Sequence, residues 1–177
     1  MPHEKNLIDR LQTRSSREQA FRDLVLLYQE RIYWHVRRFV LDHEDANDVV
    51  QNTFIKAYKG LEGFKGDSKL YTWLYRIASN ESITYINKSK RAIKGDIEAA
   101  ERLEADTYFD GDAVELMLQR ALAQLPEKQR LVFNMKYYDD MTYQEISNVL
   151  DTSVGALKAS FHHAVKKIEF YLKNVRV

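Results

Sequence analysis

Residues 64–80, FKGDSKLYTWLYRIASN, interleave aromatic rings with cations. A glycine-containing loop runs into a helical stretch that carries Tyr71, Trp73, Tyr75 and Arg76. Single-stranded nucleic acid asks for this pairing, with bases stacking on rings or entering pockets while Lys and Arg hold the phosphates. Extruding a base costs a few kcal/mol of unstacking, so a protein that does it must offer a shaped pocket in return. Spacing separates the rings. Trp73 lies on the apolar stripe of Leu70, Leu74 and Ile77, a core position, whereas Tyr75 and Arg76 fall off that stripe.

A second constellation occupies residues 125–172. Thr142-Tyr143-Gln144-Glu145 fits a capping box, in which a hydroxyl and a carboxylate satisfy the free N–H groups at a helix start. Ile146, Val149 and Leu150 continue an apolar stripe behind it, Asp151-Thr152 breaks the pattern, and Ser153 can cap the next helix. Two helices joined by three or four residues, the second long and basic, match a DNA-reading helix-turn-helix.

Other chemistry finds no support. His3, His35, His43, His162 and His163 show no metal-ligand spacing, so no metal is expected. No phosphate-cradling glycine loop, nucleophile elbow or HExxH occurs, so neither a cofactor nor enzymatic activity is expected. Gly60, Gly63 and Gly66 recur every third residue, but in a helix-to-helix loop rather than after a strand. The absence of cysteine excludes a disulfide framework and fits a reducing cytoplasm, the expected location. The charged N-terminus lacks a signal-peptide core, and no apolar run approaches the roughly 20 residues of a bilayer span, so no membrane insertion is expected.

The elements that must position these residues are helical. Apolar content of 45% and only two prolines among 177 residues favour an all-α fold. Helices are predicted over about 4–13, from Ser15-Ser16 to about 40, over 45–59 with Gly60 as its C-terminal stop, and over 69–90 with Ser68 as cap. Net charge is +3 over residues 1–90, −4 over 91–126 and +2 over 127–177. That distribution suggests two modules and an acidic link. The expected architecture is therefore two small helical domains, residues 1–90 and 113–177, joined by a flexible acidic linker at 91–112, partly helical around 97–104. The second domain is the helix-turn-helix, with Pro126 in a first turn.

Three segments in order, DANDVVQNTFIKAY, FKGDSKLYTWLYRIASN and LPEKQRLVFNMKYYDDMTYQEISNVLDTSVGALKASFHHAVKKI, resemble bacterial sigma factors of the extracytoplasmic-function group. The resemblance spans nearly the whole chain. It implies a promoter-specific initiation factor with core RNA polymerase, promoter DNA and a cognate anti-sigma factor as partners. By resemblance, Asp45, Asp48, Gln51 and Asn52 grip the polymerase clamp. Phe64, Lys65, Gly66, Asp67 and Ser68 form the loop that captures a −10 base, with Tyr75, Arg76 and Asn80 lining that site. Lys88, Lys90 and Arg91 lie near upstream phosphates. Ser153, Gly155, Ala156, Lys158, Ala159, Ser160, His162 and His163 face the −35 groove, and Lys166 and Lys167 anchor phosphates.

The chain departs from the family pattern in two places. Family members often read GTVKSRLHRAR where this chain reads GALKASFHHAV, so Ser160, His163 and Val165 stand where arginines are common. Arginine is the usual bidentate reader of guanine, so the recognition helix is expected to lean more on Lys158 and DNA shape. Asn47 and Asn52 make the clamp-binding segment less acidic. Two other readings predict different behaviour. A stand-alone helix-turn-helix regulator binds duplex DNA without polymerase, and a protein-interaction module never supports transcription.

Overall fold

The computed structural model describes residues 2–64, 66, 68–92 and 113–174. Among them the regular elements are α1 (Pro2–Gln12), α2 (Arg17–Val40), α3 (His43–Gly60), a 3-10 turn (Leu61–Gly63), α4 (Leu70–Ala92), α5 (Ala113–Ala123), α6 (Glu127–Tyr137), α7 (Tyr143–Leu150) and α8 (Val154–Asn174). The expected all-α class is the observed one. The linker expected at 91–112, with its helical stretch around 97–104, lies outside the described residues except for Arg91 and Ala92, which extend α4.

The first four helices pack by their apolar stripes. Leu24, Ile32, Val36 and Phe39 of α2 bury against α3 and α4, which contribute Ala46, Val49, Ala57, Leu70 and Leu74. Local signals explain most of the boundaries. Asp42 caps α3 by accepting from the Asp45 N–H at 3.0 Å. Two expected signals act otherwise. Ser16 does not cap α2 with its side chain; its hydroxyl donates to the Arg10 and Thr13 carbonyls and ties down α1. Gly60 does not stop α3 through a left-handed turn: its φ is −87°, and the chain tightens into the 3-10 turn. The glycine that needs its freedom is Gly66, at φ +79°.

In the second half α5, α6 and α8 enclose Ala121, Leu122, Leu125, Phe133, Ala164 and Ile168. The capping box is present in full. Thr142 Oγ1 accepts from the Glu145 N–H at 3.2 Å, and Glu145 Oε2 accepts from the Thr142 N–H at 2.9 Å. Ser153 Oγ accepts from the Ala156 N–H at 3.3 Å and opens α8.

The two halves are docked on each other, α4 against α7 and α2 against α6. One apolar cluster is continuous across the contact, from Leu24 and Leu74 to Leu131, Met135, Met141 and Ile146. Polar bonds cross it as well. His35 Nδ1 bonds Asp139 Oδ2 at 2.8 Å, and its Nε2 bonds Ser79 Oγ at 3.0 Å, with His35 fully buried. Ser79 spends its own hydrogen on the Tyr75 carbonyl at 2.7 Å, so it can only accept from His35. Asn134 Nδ2 donates to the Arg38 carbonyl at 3.2 Å, and Arg38 lies over the Tyr138 ring at 4.3 Å. At the far edge Lys69 Nζ donates to Glu145 Oε1 at 2.9 Å, and the Tyr71 phenol bonds the same carboxylate.

Asp139 reaches His35 because the α6–α7 turn is tightly wound. Its backbone N–H groups at Asp139 and Met141 close onto the Asn134 and Met135 carbonyls, and Asp140 sits at φ +52°. A β-branched residue there meets the left-handed penalty of about 1–2 kcal/mol. Asp140→Val is expected to lower thermal stability by that amount and Asp140→Gly to leave it within about 0.5 kcal/mol, as read by denaturant melts.

Burial raises the Glu145 carboxyl, but bonds from Tyr71, Lys69 and Thr142 outweigh it and hold the group at about 2 against an ordinary 4.5. A folded-state value below the unfolded one contributes stability that is complete above about 4.5 and disappears as pH falls through about 2. The gap in melting temperature between the wild type and Glu145→Gln is therefore expected to close as pH falls across that window. A gap of constant width would remove the carboxylate charge from the contact.

Candidate nucleic-acid and partner interfaces

The helix α3 presents a mixed face. Asp48, Gln51 and Asn52 are exposed on it, as their spacing requires. Asp45 is only half-exposed and turns inward: its carboxylate accepts from the Tyr85 phenol on α4. The surface therefore starts one turn later than the sequence suggests. It also contains a residue that sequence reading missed. Ile55 is 45% exposed, seven positions after Asp48 and between the turns that carry Gln51, Asn52 and Lys59. The signal was available, because an aliphatic residue at helical spacing from a polar row cannot face the core. An exposed apolar residue ringed by polar groups is the usual anatomy of an interface centre.

The expected −10 residues separate into three groups. Lys65 and Asp67 lie outside the described residues. Phe64 and Tyr75 are buried, at 6% and 1% exposure, so neither ring is open to a base in this arrangement. Tyr75 was expected off the buried stripe, but it lies where the second domain docks, 4.7 Å from the His35 ring. Its phenol reaches Asp139 and Arg31, and burial together with the Asp139 charge pushes it well above the ordinary phenol range. Gly66, Arg76, Asn80 and Lys88 are exposed and Ser68 is half-buried. The side chains of Lys90 and Arg91 are outside the described residues.

Asn80 opens onto a cleft of about 380 Å³ between the end of α3, the 3-10 turn and α4. Trp73 lines it, its ring tilted against that of Phe64 with the centroids 4.9 Å apart, and Gly60 and Gly63 line it as well. Ile77 adds apolar surface, while the Lys56–Glu81 pair, with Nζ and Oε1 2.5 Å apart, closes the rim. Trp73 is thus neither a fully buried core ring nor free; one face packs and the other lines the cleft. Gly60 gains a reason that a helix stop did not supply. A Cβ there would approach Trp73 Cζ2 to 3.5 Å, so any side chain built further would enter the cleft. Nothing local in the sequence links Lys56 with Glu81, which are 25 positions apart.

On α8 the residues Leu157, Ala164 and Ile168 face inward. Gly155, Ala156, Lys158, Ala159, His162, His163, Lys166 and Lys167 form the outer arc, with Ser153 at its start and Ser160 half-buried at its edge. No protein atom lies within 4 Å of where a Gly155 side chain would begin. The arc is small at its start, where Gly155, Ala156 and Ala159 surround Lys158, and cationic at its far end, at Lys166 and Lys167. That shape suits a helix seated in a major groove, with flanking cations on the phosphates. Among the described residues no cluster of His, Asp or Glu could hold a metal ion, and no helix is long and apolar enough to cross a membrane.

Two family models match the chain: Sigma-70 region 2 over residues 24–92, and Sigma-70, region 4 over residues 115–168. The RNA polymerase sigma-H factor of Pseudomonas aeruginosa is 34% identical, across 94% of this chain and 92% of that protein. The ECF RNA polymerase sigma-E factor of Escherichia coli K12 is 35% identical, across 92% of this chain and 91% of that protein. Among solved structures, CnrH in complex with the cytosolic domain of CnrY superposes with a TM-score of 0.73 at 25% identity, covering 98% of this chain and 99% of CnrH. The sigma factor RpoE of Bartonella quintana, bound to the anti-sigma factor NepR, superposes at 0.70 and 21% identity, covering 88% of this chain and 98% of RpoE.

Proposed function

The chain belongs to the extracytoplasmic-function sigma factors, which direct promoter-specific transcription by RNA polymerase, and on that footing we propose how its surfaces divide the work. The α3 face of Asp48, Gln51, Asn52 and Ile55 engages the polymerase clamp. Ile55 supplies the apolar centre and the polar residues fix the register. The Trp73 cleft receives the extruded base of the −10 element. The cleft is the observation that carries this reading: a half-exposed indole against a buried phenylalanine, two glycines in the lining, and Asn80 with Lys56 and Glu81 to meet a base edge. Gly66, Ser68 and Arg76 flank its approach, and Lys88 follows the strand further along α4. The outer arc of α8 enters the −35 major groove, with Lys166 and Lys167 on phosphates.

The work divides between recognition and catalysis. This chain positions and melts; polymerase makes the phosphodiester bonds, so no catalytic residue is assigned to the chain. Its place is the cytoplasm, with the polymerase. A cognate anti-sigma protein is the remaining partner, supported by the partner-bound state of RpoE.

Two measurements bear on these roles. On a promoter identified by mapping transcript starts, Lys166→Ala and Lys167→Ala are each expected to weaken −35 binding for every sequence. Each should also reduce the slope of log K against log salt by about one; an unchanged slope would take them out of the interface. Asn80→Ala is expected to lower open-complex formation about tenfold or more with polymerase affinity retained, the scale of one lost hydrogen bond to a base. Phe64→Ala is a different experiment, since the buried ring supports Trp73; it is expected to cost about 3–5 kcal/mol of fold stability. Loss of polymerase binding in Asn80→Ala, with melting intact, would reverse the assignment.

A further inference from the structure

One side of the Trp73 cleft is held by residues far from it in sequence. Gly60 and Gly63, at the two ends of the 3-10 turn, line the cleft, and the next residue, Phe64, sets its ring against Trp73. A displacement of residues 60–64 therefore moves two lining glycines and the support of the indole together. Within this segment Leu61 and Phe64 are buried, but Glu62 and Gly63 are exposed. The turn closes on itself through the Phe64 N–H and the Leu61 carbonyl, 3.1 Å apart. A 3-10 turn has poorer hydrogen-bond geometry than an α-helix, so a short one gains from outside support.

That support comes from the corner between α1 and α2. Gln12, the last residue of α1, donates from Nε2 to the Phe64 carbonyl at 3.3 Å, across 52 positions. Arg17, the first residue of α2, donates from Nη1 to Glu62 Oε1 at 2.9 Å and from Nε to the Leu11 carbonyl at 3.1 Å. One guanidinium thus ties the end of α1 to the turn. The corner is itself well anchored. Leu11 is buried, the Ser16 hydroxyl donates to the Arg10 carbonyl at 2.9 Å, and Arg10 pairs with Asp23 of α2 at 2.8 Å. Gln12 therefore acts from a fixed base and not from a frayed helix end. The two bonds to the turn differ in weight. The Glu62 side chain is 78% exposed, where water screens an ion pair and leaves it little net strength. The Gln12 bond is part-buried and reaches the backbone of the residue that supports Trp73.

We infer that Gln12 is a positioning residue for base capture, holding the Phe64 backbone so that the Phe64 ring and the 3-10 turn keep Trp73 in its capturing geometry, with Arg17 as its auxiliary. This rests on the reading of the cleft as the site of the extruded −10 base. Gln12 does not line the cleft; it acts through Phe64. The helix α1 is then part of the −10 machinery as well as of the first core. Without the bond, residues 61–64 spend part of their time displaced, and only the fraction in the capturing geometry takes the base. One net hydrogen bond sets that fraction, a factor of about five.

Gln12→Ala and Gln12→Glu remove the donor, the second with little change of shape, and Gln12→Lys restores a donor of similar reach. With core polymerase on the mapped promoter, both losses are expected to slow open-complex formation about fivefold and to leave polymerase affinity unchanged, while Gln12→Lys recovers most of the rate. A variant that merely lowers the folded fraction reduces both quantities together. The free protein supplies a second readout. Trp34 and Trp73 are the two tryptophans of the chain, so Trp34→Phe, which keeps a ring beside Arg38, leaves Trp73 as the sole indole emitter. In that background acrylamide is expected to quench Trp73 more strongly in Gln12→Ala and Gln12→Glu than with glutamine at 12, and Gln12→Lys to restore the protection. Polymerase affinity falling in step with the rate overturns the proposal. So does a Gln12→Lys variant as slow as Gln12→Ala, or Trp73 quenching that no substitution of Gln12 changes. Asn80→Ala is measured beside these. If it leaves open-complex formation unchanged, the reading of the cleft fails, and the quenching series still decides whether Gln12 positions Trp73. If it slows the step and Gln12→Ala does not, the cleft stands and the positioning role falls.

Discussion

A buried carboxylate and the partners gathered around it set the arrangement of this molecule. Asp139 lies 5% exposed between two domains, where an unpaired charge is not tolerated. It is paired with His35, and His35 is held in turn by Ser79, whose hydrogen is committed to the Tyr75 carbonyl. Each link uses up the donor or acceptor that the next would need, so the ring cannot turn over without leaving a buried polar atom bare. The left-handed Asp140 and the tightly closed α6–α7 turn exist to aim this one side chain. Removing His35 or Asp139 breaks a buried polar network, so the domain contact tolerates little adjustment.

That contact also has mixed character. Its centre is apolar and continuous with the core of the first domain, while its edges carry the Lys69–Glu145 and Arg38–Tyr138 contacts. An obligate interface is drier than this, and a chance encounter has no buried network at its middle. The exposed face of α3 and the outer arc of α8 take no part in it. The Trp73 cleft is likewise open, on the side of α4 away from Tyr75.

The legible parts of the fold were those written at short range. Apolar stripes placed α1 to α4 and the helices of the helix-turn-helix to within a few positions, because a half-buried helix must repeat its apolar residues every three or four positions; α5 was not anticipated as a helix. The Thr142 capping box and the Ser153 cap follow from atoms three residues apart. Failures came where distant residues decide. Nothing near Tyr75 says that a second domain will cover it, so a position off the stripe read as exposed. His35 and Asp139 are 104 positions apart, and Lys69 and Glu145 are 76 apart. Ser16 and Gly60 fit their local rules by type, yet a competing acceptor took the first and a tighter turn the second. The cleft was half visible: Asn80 and the loop were readable, but Trp73 was assigned wholly to the core because periodicity gives a direction and not a depth.

The arginine-poor recognition helix is partly a matter of packing. Of the three positions where relatives often carry arginine, Val165 packs against the second core cluster and Ser160 is half-buried; only His163 stands fully outward. An arginine at 165 would have to run its stem along the protein surface before reaching DNA. What α8 offers instead is three small residues around Lys158, namely Gly155, Ala156 and Ala159, with the next lysines at 166 and 167. Small residues let the backbone approach the groove closely, and alanine methyls meet thymine methyls as well as any side chain does. If α8 enters the groove as proposed, its lysines reach phosphates while few of its side chains read bases. Under the proposed assignment, discrimination then falls on the pair of sites rather than on either alone: the cleft and the helix gain from each other only when both fit at the right spacing.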